Sequence, residues 1–304
     1  MTASGLPSGL KFAFEQDWDG SSGRIYGTPT KAGAYTVTLT AKRGAETQKA
    51  TVTFVVDALP DYVVGKFSGL LQNGDQKIGT FDLTATAAGR LSVSMVMRDG
   101  TKRTYSANSW NCAYDGVYAG YFIKKAAAGS CAEDGESVYF EVGPGYAWNQ
   151  YQLRGDFTID PCRYGGEGEI VAQRNPFGKV GTAYENVEAH SVAAELASYG
   201  KMGAWVEKAD DGEYWLACPN CVLSQNGSNP PLTFTASTDG AVRVTGKIAG
   251  KSVSGSTTLR ILNGEPQADF VLSVSKTPIV IHVDFCLDCG GANGAVIGWA
   301  SIGY

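Results

Sequence analysis

Four of the seven cysteines form two Cys-x-x-Cys pairs. In this sequence, their spacing is the pattern that most clearly indicates metal binding or disulfide formation. Cys218 and Cys221 follow an apolar run at 214–217, and Cys286 and Cys289 follow another at 279–285. Tight turns of this kind direct two thiolates at one metal, so the pairs together could form a closed structural zinc site. In an oxidising compartment the same thiols would form disulfide bonds, within or between the pairs. Under either hypothesis the cysteines stabilise the C-terminal part of the chain and do not perform catalysis.

The other three cysteines, Cys112, Cys131 and Cys162, occur singly. A disulfide from Cys112 to Cys131 or to Cys162 would fix the irregular sequence between them, and this is the favoured prediction. Because the total is odd, one thiol is left over if all the others pair. Thioredoxin-like redox chemistry is disfavoured, because that motif opens a helix in a βαβ unit and the pattern contains no such unit.

Aromatic residues are concentrated between Tyr105 and Tyr151, a stretch that holds 11 of the 33 aromatic residues in the chain. Flat Trp and Tyr rings beside amide and carboxylate groups suit sugar rings, and they are also enriched at protein interfaces. We therefore predict a binding surface for glycan or protein. Its residues would be Trp110, Tyr114, Tyr118, Tyr146, Trp148 and Tyr151. The alternative is that these rings fill a barrel interior or cap its ends.

Few residues are suited to acid–base catalysis. Of the two histidines, His190 lies in a connector, and His282 lies within the apolar run at 279–285, where a satisfied or solvent-facing role is favoured. An acidic cluster could supply the carboxylate pair of a glycoside hydrolase, although surface solvation is the simpler account. The cluster comprises Asp156, Asp160, Glu167 and Glu169. We predict a non-catalytic protein, with a carbohydrate-active enzyme as an alternative.

Composition and charge disfavour several kinds of partner. The net charge is −5 and no basic stripe occurs, which argues against nucleic acid. No run approaches the roughly 18 apolar residues of a membrane-spanning helix. The first residues show no leader pattern, so we expect the parent chain of a secreted protein to begin further upstream. A charged content of only 18% with 39 glycines predicts short strands and tight turns, not helical bundles.

Residues 1–57 read as one small β-module. Period-two alternation predicts strands at 34–41, with Tyr35, Val37 and Leu39 on one face, and at 50–56. The phrases GLPSGL at 5–10, GRIYGTPTKAGAYTVTLTA at 23–41 and ATVTFVV at 50–56 resemble a bacterial immunoglobulin-like module that is also described as cadherin-like. The usual first strand before the first phrase is missing or shortened. The resemblance implies a spacer of surface and secreted proteins, and so a compartment more than an activity.

The remainder reads as two related β-modules, at 60–178 and at 179–304. A hairpin, a turn and a further strand at 79–107 recur at 232–256, with Gly89 matching Gly240 and Gly100 matching Gly250. Between the copies, 183–197 predicts a short helix with an apolar stripe formed by Val192, Ala193, Leu196 and Ala197. The meander of hairpins is typical of an up-and-down barrel or a barrel-like sandwich.

The duplicated pattern resembles poorly characterised repeats in large surface proteins of verrucomicrobial, lentisphaeral and kiritimatiellal bacteria. The matching phrases lie at 65–69, 83–91 and 99–106. This resemblance implies a surface protein and transfers no catalytic residue.

Taken together, these patterns predict an all-β chain, with an N-terminal immunoglobulin-like sandwich followed by two related antiparallel β-barrel or barrel-like modules. The predicted function is a non-catalytic, adhesin-like segment of an extracellular or cell-surface bacterial protein that binds glycan or another protein. The main alternative is a structural stalk or a self-assembling surface repeat, since exposed strand edges pair between copies. Apart from a structural zinc ion, no cofactor is predicted.

Overall fold

The computed structural model describes residues 1–17, 20–74, 76–97, 100–125, 135–143, 152–159, 167–177, 187–210, 213–217, 231–262, 265–274, 277–287 and 295–302. These residues form four antiparallel sheets and one α-helix. An immunoglobulin-like module is followed by two nine-stranded sheets, which form a half-barrel and a nearly closed barrel. The predicted all-β class is therefore confirmed.

The N-terminal module consists of two small sheets. Its strands are β1 (Thr2–Ser4), β2 (Leu10–Asp17), β3 (Gly20–Gly27), β4 (Gly33–Arg43) and β5 (Glu46–Val56). β4 lies between β1 and β5, while β2 and β3 form a hairpin. Val37 on β4 is fully buried, in agreement with the predicted alternation. β5 forms an edge and is solvent-exposed along most of its length, with Val55 68% exposed.

The first nine-stranded sheet begins after a 3₁₀ turn at Asp61–Val63. Its strands are β6 (Gly65–Asn73), β7 (Gln76–Ala85), β8 (Leu91–Met97), β9 (Lys102–Ala107), β10 (Cys112–Tyr114), β11 (Val117–Lys124), β12 (Glu136–Val142), β13 (Gln152–Thr158) and β14 (Glu167–Arg174). They pair in the order β10-β11-β12-β13-β14-β6-β7-β8-β9. Strict alternation along β8 buries every second residue, which places one apolar face of the bent sheet on a common core.

The second nine-stranded sheet follows helix α1 (Val187–Ser198). Its strands are β15 (Lys201–Lys208), β16 (Tyr214–Ala217), β17 (Leu232–Ala236), β18 (Ala241–Ile248), β19 (Lys251–Thr258), β20 (Arg260–Leu262), β21 (Glu265–Val274), β22 (Thr277–Cys286) and β23 (Ala295–Ile302). They pair in the order β19-β18-β17-β15-β16-β23-β22-β21-β20. β19 packs against β21, where a Cβ on Gly255 would lie 2.3 Å from Leu272, so this sheet is the more nearly closed one.

Helix α1 confirms most of the predicted apolar stripe. Val192, Ala193 and Leu196 are buried, together with Ala189 one turn earlier, whereas Ala197 is half-buried. These side chains join the core of the second sheet. The helix therefore covers that core from outside the sheet, as an amphipathic connector should.

The predicted internal repeat appears as two equivalent hairpins. The Gly89 amide donates a 2.8 Å hydrogen bond to the Thr86 carbonyl, and the Gly240 amide donates a 2.9 Å hydrogen bond to the Ser237 carbonyl. Both glycines have left-handed backbones, with φ of 84° and 77°. Each hairpin belongs to a three-stranded meander at one end of its sheet, β7-β8-β9 or β17-β18-β19. The repeated sequence therefore forms an equivalent three-stranded meander at one edge of each sheet.

The second copy supplies a matched pair of glycine substitutions. Gly250→Ala should destabilise the protein by about 1 kcal/mol, because φ is 76° but nothing lies within 4 Å of the new Cβ. Gly240→Ala should cost clearly more, because its Cβ would lie 2.3 Å from the Phe177 ring as well. Urea unfolding of both variants measures the difference. Equal losses would show that Phe177 moves aside freely.

The two nine-stranded sheets meet through their outer faces. β7 contacts β21, and a cavity of about 350 Å³ lies between the sheets, lined by Thr80 and Asp82 on one side and Arg260 and Asp269 on the other. Burial raises the pKa of the Asp82 carboxyl, against the hydrogen bond that Ser68 donates to it. Asp269 and Arg260 form an ion pair at this junction. Both residues lie on the outer face of their sheet, but they are only 4% and 6% exposed because the other sheet covers them.

Candidate functional site

The predicted aromatic cluster separates into two groups in the structure. Trp110 and Tyr118 line a crevice between the immunoglobulin-like module and the half-barrel. Tyr114 projects from the outer face of the half-barrel and is 50% exposed. The other predicted residues, Tyr146, Trp148 and Tyr151, lie outside the described residues.

The crevice has a volume of about 660 Å³. One wall is the turn at 28–32 of the immunoglobulin-like module, the floor includes residues 56–59, and the opposite wall holds Trp110 and Tyr118. Apolar groups such as Leu59 and Val64 alternate with the hydroxyls of Thr28, Thr30 and Ser109. A concave, largely apolar space with a few polar groups at a module boundary has the size and character of a small-ligand site.

Two aromatic rings line the half-barrel wall of the crevice, and a third, Tyr62, packs beside them. Trp110 meets Tyr118 edge-on, with ring centroids 5.9 Å apart, and Tyr118 meets Tyr62 edge-on at 6.3 Å. Trp110 also contacts the buried Phe140 ring at 5.9 Å, which connects the wall to the core. Edge-to-face contacts are a favoured geometry for aromatic pairs, so they stabilise this arrangement of the rings.

Trp110 carries an unusual feature for a residue in this position. Its indole Nε1 is buried and has no hydrogen-bond acceptor among the described residues. A buried N–H without an acceptor costs about 1–3 kcal/mol relative to a satisfied one. A ligand oxygen that accepted this hydrogen bond would recover that free energy, but because the atom is enclosed the indole would first have to turn toward the crevice.

Two contacts hold the crevice walls in place. The Tyr62 hydroxyl donates a 2.6 Å hydrogen bond to the Gly116 carbonyl, which ties the 3₁₀ turn to the β10-β11 hairpin. Thr28 of the immunoglobulin-like module donates a hydrogen bond of 3.4 Å to Ser109 of the half-barrel. The sequence identified one wall through its aromatic density. The turn at 28–32 and the linker at 57–59 were missed, because only the packing of the modules places them opposite Trp110.

Tyr114 belongs to a second, more polar surface. The hydroxyls of Tyr114 and Tyr139 both donate hydrogen bonds to Glu141 Oε1 on the outer face of β12. Desolvation raises the pKa of Tyr139, and its hydrogen bond to Glu141 raises it further. Arg154 is the cross-strand partner of Glu141 on β13, and both residues line a cavity of about 400 Å³.

The same cavity contains part of the predicted acidic cluster. Asp156 and Glu169 are cross-strand partners on β13 and β14 and both line it. Asp160 lies outside the described residues. Canonical glycoside hydrolysis needs carboxyl groups on either side of the scissile bond. Asp156 and Glu169 project from one side of one sheet, so the enzyme alternative would need a further acidic group facing them.

The cysteine hypotheses involve residues that are mostly outside the described ranges. Cys286 ends β22 and is disulfide-bonded. Cys218, Cys221 and Cys289 lie outside the described residues, as do Cys131 and Cys162. Within the described part of the chain, no group of three or more histidine, cysteine or acidic residues is arranged to hold a metal ion. Because a disulfide sulfur is not a thiolate ligand, Cys286 in this state does not complete the predicted four-cysteine zinc site. The pairing scheme stays a prediction.

Both histidines have well-defined surroundings. His282 Nδ1 lies 2.7 Å from Asp269 Oδ1, and Nε2 lies 3.4 Å from Asp284 Oδ2. This satisfied strand histidine agrees with the role favoured from the sequence. His190 on α1 meets the Phe177 ring edge-on at 5.6 Å.

Comparison with known proteins supports the N-terminal assignment. Residues 1–57 match a family model described as "Putative Ig domain". A crystal structure of a "putative outer membrane protein" from Bacteroides fragilis aligns with 79% of this chain and 97% of its own, at 10% identity and a TM-score of 0.21. No curated protein matches the chain. The predicted relation to verrucomicrobial-type surface repeats stays a prediction.

Among the residues that the structure describes, no helix is both long enough and apolar enough to cross a membrane.

Proposed function

We propose that this chain is a non-catalytic segment of an extracellular or cell-surface bacterial protein that binds glycan in the crevice between its immunoglobulin-like module and its half-barrel. The immunoglobulin-like match supports the surface assignment. The observation that carries the binding assignment is that Trp110 and Tyr118 line one crevice together with the hydroxyl-bearing Thr28, Thr30 and Ser109. The buried Trp110 Nε1–H, which lacks an acceptor among the described residues, supports it. The immunoglobulin-like module then contributes to binding as well as to spacing.

A saccharide has the two kinds of surface that this crevice requires. The C–H face of a pyranose ring packs against the rings of Trp110 and Tyr118, and a ring hydroxyl accepts the hydrogen bond from Trp110 Nε1. Further hydroxyls reach the side chains of Thr28, Thr30 and Ser109, which line the same space.

Substitution of Trp110 by phenylalanine tests this site. The variant keeps an aromatic ring against Tyr118 and Phe140 but removes the N–H donor. We expect Kd to rise about tenfold for the saccharide that binds best on a glycan array, since one hydrogen bond contributes about 1–1.5 kcal/mol. Trp110→Ala should raise Kd further. Isothermal titration calorimetry gives the affinities, with circular dichroism to verify folding.

Tyr121→Ala is the matched control, because this exposed tyrosine lies on the outer face of the half-barrel, away from the crevice. Its affinity should equal that of the unmodified protein. Unchanged binding by Trp110→Phe and Trp110→Ala, or equal losses in the control, would contradict the assignment.

Self-assembly is the second candidate function, favoured by the edge strand β5. This edge is 11 residues long and carries Val52 and Val55 at 43% and 68% exposure. Long exposed edges with apolar residues add strands from other chains. Sedimentation of the unmodified protein separates the two functions, because a structural repeat associates as its concentration rises and a glycan-binding segment does so only with a multivalent glycan.

A further inference from the structure

Three of the six tryptophans lie on the outer face of the second sheet. They are Trp205 on β15, Trp215 on β16 and Trp299 on β23. In each strand the alternate positions are buried: Ala204 beside Trp205, Leu216 beside Trp215 and Ala300 beside Trp299. Because successive strand residues point to opposite faces, the three indoles project away from the core.

The strand register places these tryptophans side by side. Trp215 is directly opposite Trp299, and Trp299 is directly opposite His282 on β22. Trp205 lies two residues before Glu207, which is opposite Trp215. The three strands are about 4.8 Å apart, so the tryptophans extend over roughly 10 Å across the sheet.

This surface also carries exposed large apolar side chains of the second module. Trp215 is 56% exposed and Ile297, two residues before Trp299 on the same face, is 44% exposed. Among the described residues from 187 onward, these are the two large apolar side chains with such exposure. We call Trp205, Trp215, Trp299 and Ile297 the tryptophan platform. Contiguous exposed apolar area of this kind marks an interaction site.

The platform is held rigidly at one end. The His282 ring stacks on Trp299, with centroids 5.7 Å apart and planes 27° from parallel. His282 is itself held by the 2.7 Å contact of its Nδ1 with Asp269, and Asp284 lies 3.4 Å from Nε2. Asp269 is fixed in turn by its ion pair with Arg260. The Trp299 ring is thus positioned by a chain of contacts that reaches the junction between the sheets. Such preorganisation reduces the entropic cost of binding.

We propose that the tryptophan platform binds a polysaccharide chain built from neutral or N-acetylated sugars, as a second site that is independent of the crevice. Flat indole rings on a sheet match the C–H faces of successive pyranose rings in an extended chain. A single saccharide would meet one ring, whereas a chain can meet Trp205, Trp215 and Trp299 together. The site therefore selects polymers over short soluble sugars.

The charges beside the platform define which polysaccharide fits. Glu207 is the exposed cross-strand partner of Trp215, and Asp284 is the partner of Ile297. Both carboxylates can accept hydrogen bonds from sugar hydroxyls or from an acetamido N–H. They repel uronate and sulfate groups, so anionic polysaccharides are disfavoured.

Binding to insoluble polysaccharides tests the proposal. The unmodified protein is mixed with microcrystalline cellulose, chitin or calcium alginate, and the bound fraction is measured after centrifugation. We expect binding to cellulose or chitin but not to alginate. Trp215→Ala should lower the association constant at least tenfold, and Trp205→Ala should lower it by a smaller factor because that ring is less exposed.

Two control variants separate this site from others. Tyr26→Ala removes an aromatic of 44% exposure from the immunoglobulin-like module, and Tyr121→Ala removes one of 45% exposure from the outer face of the half-barrel. Both should bind cellulose or chitin as the unmodified protein does, even if the crevice proposal fails. Absence of binding to both polymers, or undiminished binding by Trp215→Ala, overturns the proposal. So does a dimer in sedimentation that Trp215→Ala converts to monomer, because the platform would then be an interface between two copies.

Discussion

Replacement of Asp269 by leucine should destabilise the second module by about 3–5 kcal/mol, among the largest effects that we expect from one substitution. Asp269 is 4% exposed and pairs with Arg260, which is 6% exposed. Burial lowers the pKa of the Arg260 guanidinium to about 10, against the opposing effect of Asp284. The guanidinium still carries its charge at neutral pH. Without Asp269 it would be a buried cation that has lost its closest counter-ion.

A double-mutant cycle separates the ion pair from the packing around it. Arg260→Leu should cost less than Asp269→Leu, because Asp269 keeps its contact with His282. The double leucine variant should recover most of the lost stability, since removal of both charges leaves no uncompensated ion. Chemical denaturation with two probes gives the free energies of unfolding. If Asp269→Leu lost less than about 1 kcal/mol, the pair would be solvated and the junction between the sheets open.

Trp299 provides a second readout of the same substitution. Asp269→Leu removes the carboxylate that contacts His282 Nδ1, and His282 stacks on Trp299. Polysaccharide binding should weaken in that variant, but less than in Trp215→Ala. A loss of stability without any loss of binding would show that the platform does not need the His282 contact.

Local pattern was sufficient to predict much of the fold. Turn glycines and alternation identified the two meanders, and Gly89 and Gly240 have the left-handed backbone that their turns require. The spacing of Val192, Ala193 and Leu196 identified the face of α1 that is buried. These features depend on residues that are close together in the chain, so they can be predicted from the sequence.

The split of the aromatic cluster was also encoded locally but was missed. Asp115 and Gly116 form a two-residue hairpin turn, with φ of 47° and 79°. Tyr114 and Val117 are therefore directly opposite each other, and Tyr118 faces the other side of the sheet. Asp-Gly between short strands is a strong hairpin signal. A hairpin predicted at Asp115-Gly116 would have assigned Tyr114 and Tyr118 to opposite faces of the sheet.

The crevice and the platform could not be predicted in the same way. Trp205 and Trp299 lie far apart in the sequence and become neighbours only because β16 inserts between β15 and β23. The crevice needs the immunoglobulin-like module to sit against the half-barrel, which no local pattern specifies. Both sites depend on strand order and module packing, and these are properties of the whole chain.

Phe140→Ala should destabilise the half-barrel by about 3–5 kcal/mol. Phe140 is fully buried and contacts three other rings: Phe81 at 5.8 Å, Phe122 at 5.9 Å and Trp110 at 5.9 Å. Its strand neighbours on both sides are glycines, Gly120 and Gly155. A Cβ on Gly120 would lie 2.4 Å from the Phe140 ring, so this ring occupies the space that a side chain there would take. Truncation to alanine therefore leaves a cavity that the adjacent backbone cannot fill.

The same substitution connects core packing to the crevice. Phe140 supports Trp110 from behind, so Phe140→Ala should free the indole and weaken saccharide binding as well as stability. Phe140→Leu serves as the matched control, since it keeps most of the volume and should lose about 1–2 kcal/mol. Urea unfolding and calorimetric titration measure the two effects. If Phe140→Leu kept its stability within that range but lost binding as fully as Trp110→Ala, saccharide affinity would depend mainly on the orientation of the Trp110 ring. If Phe140→Ala lost under 1 kcal/mol, the aromatic wall would not depend on the core.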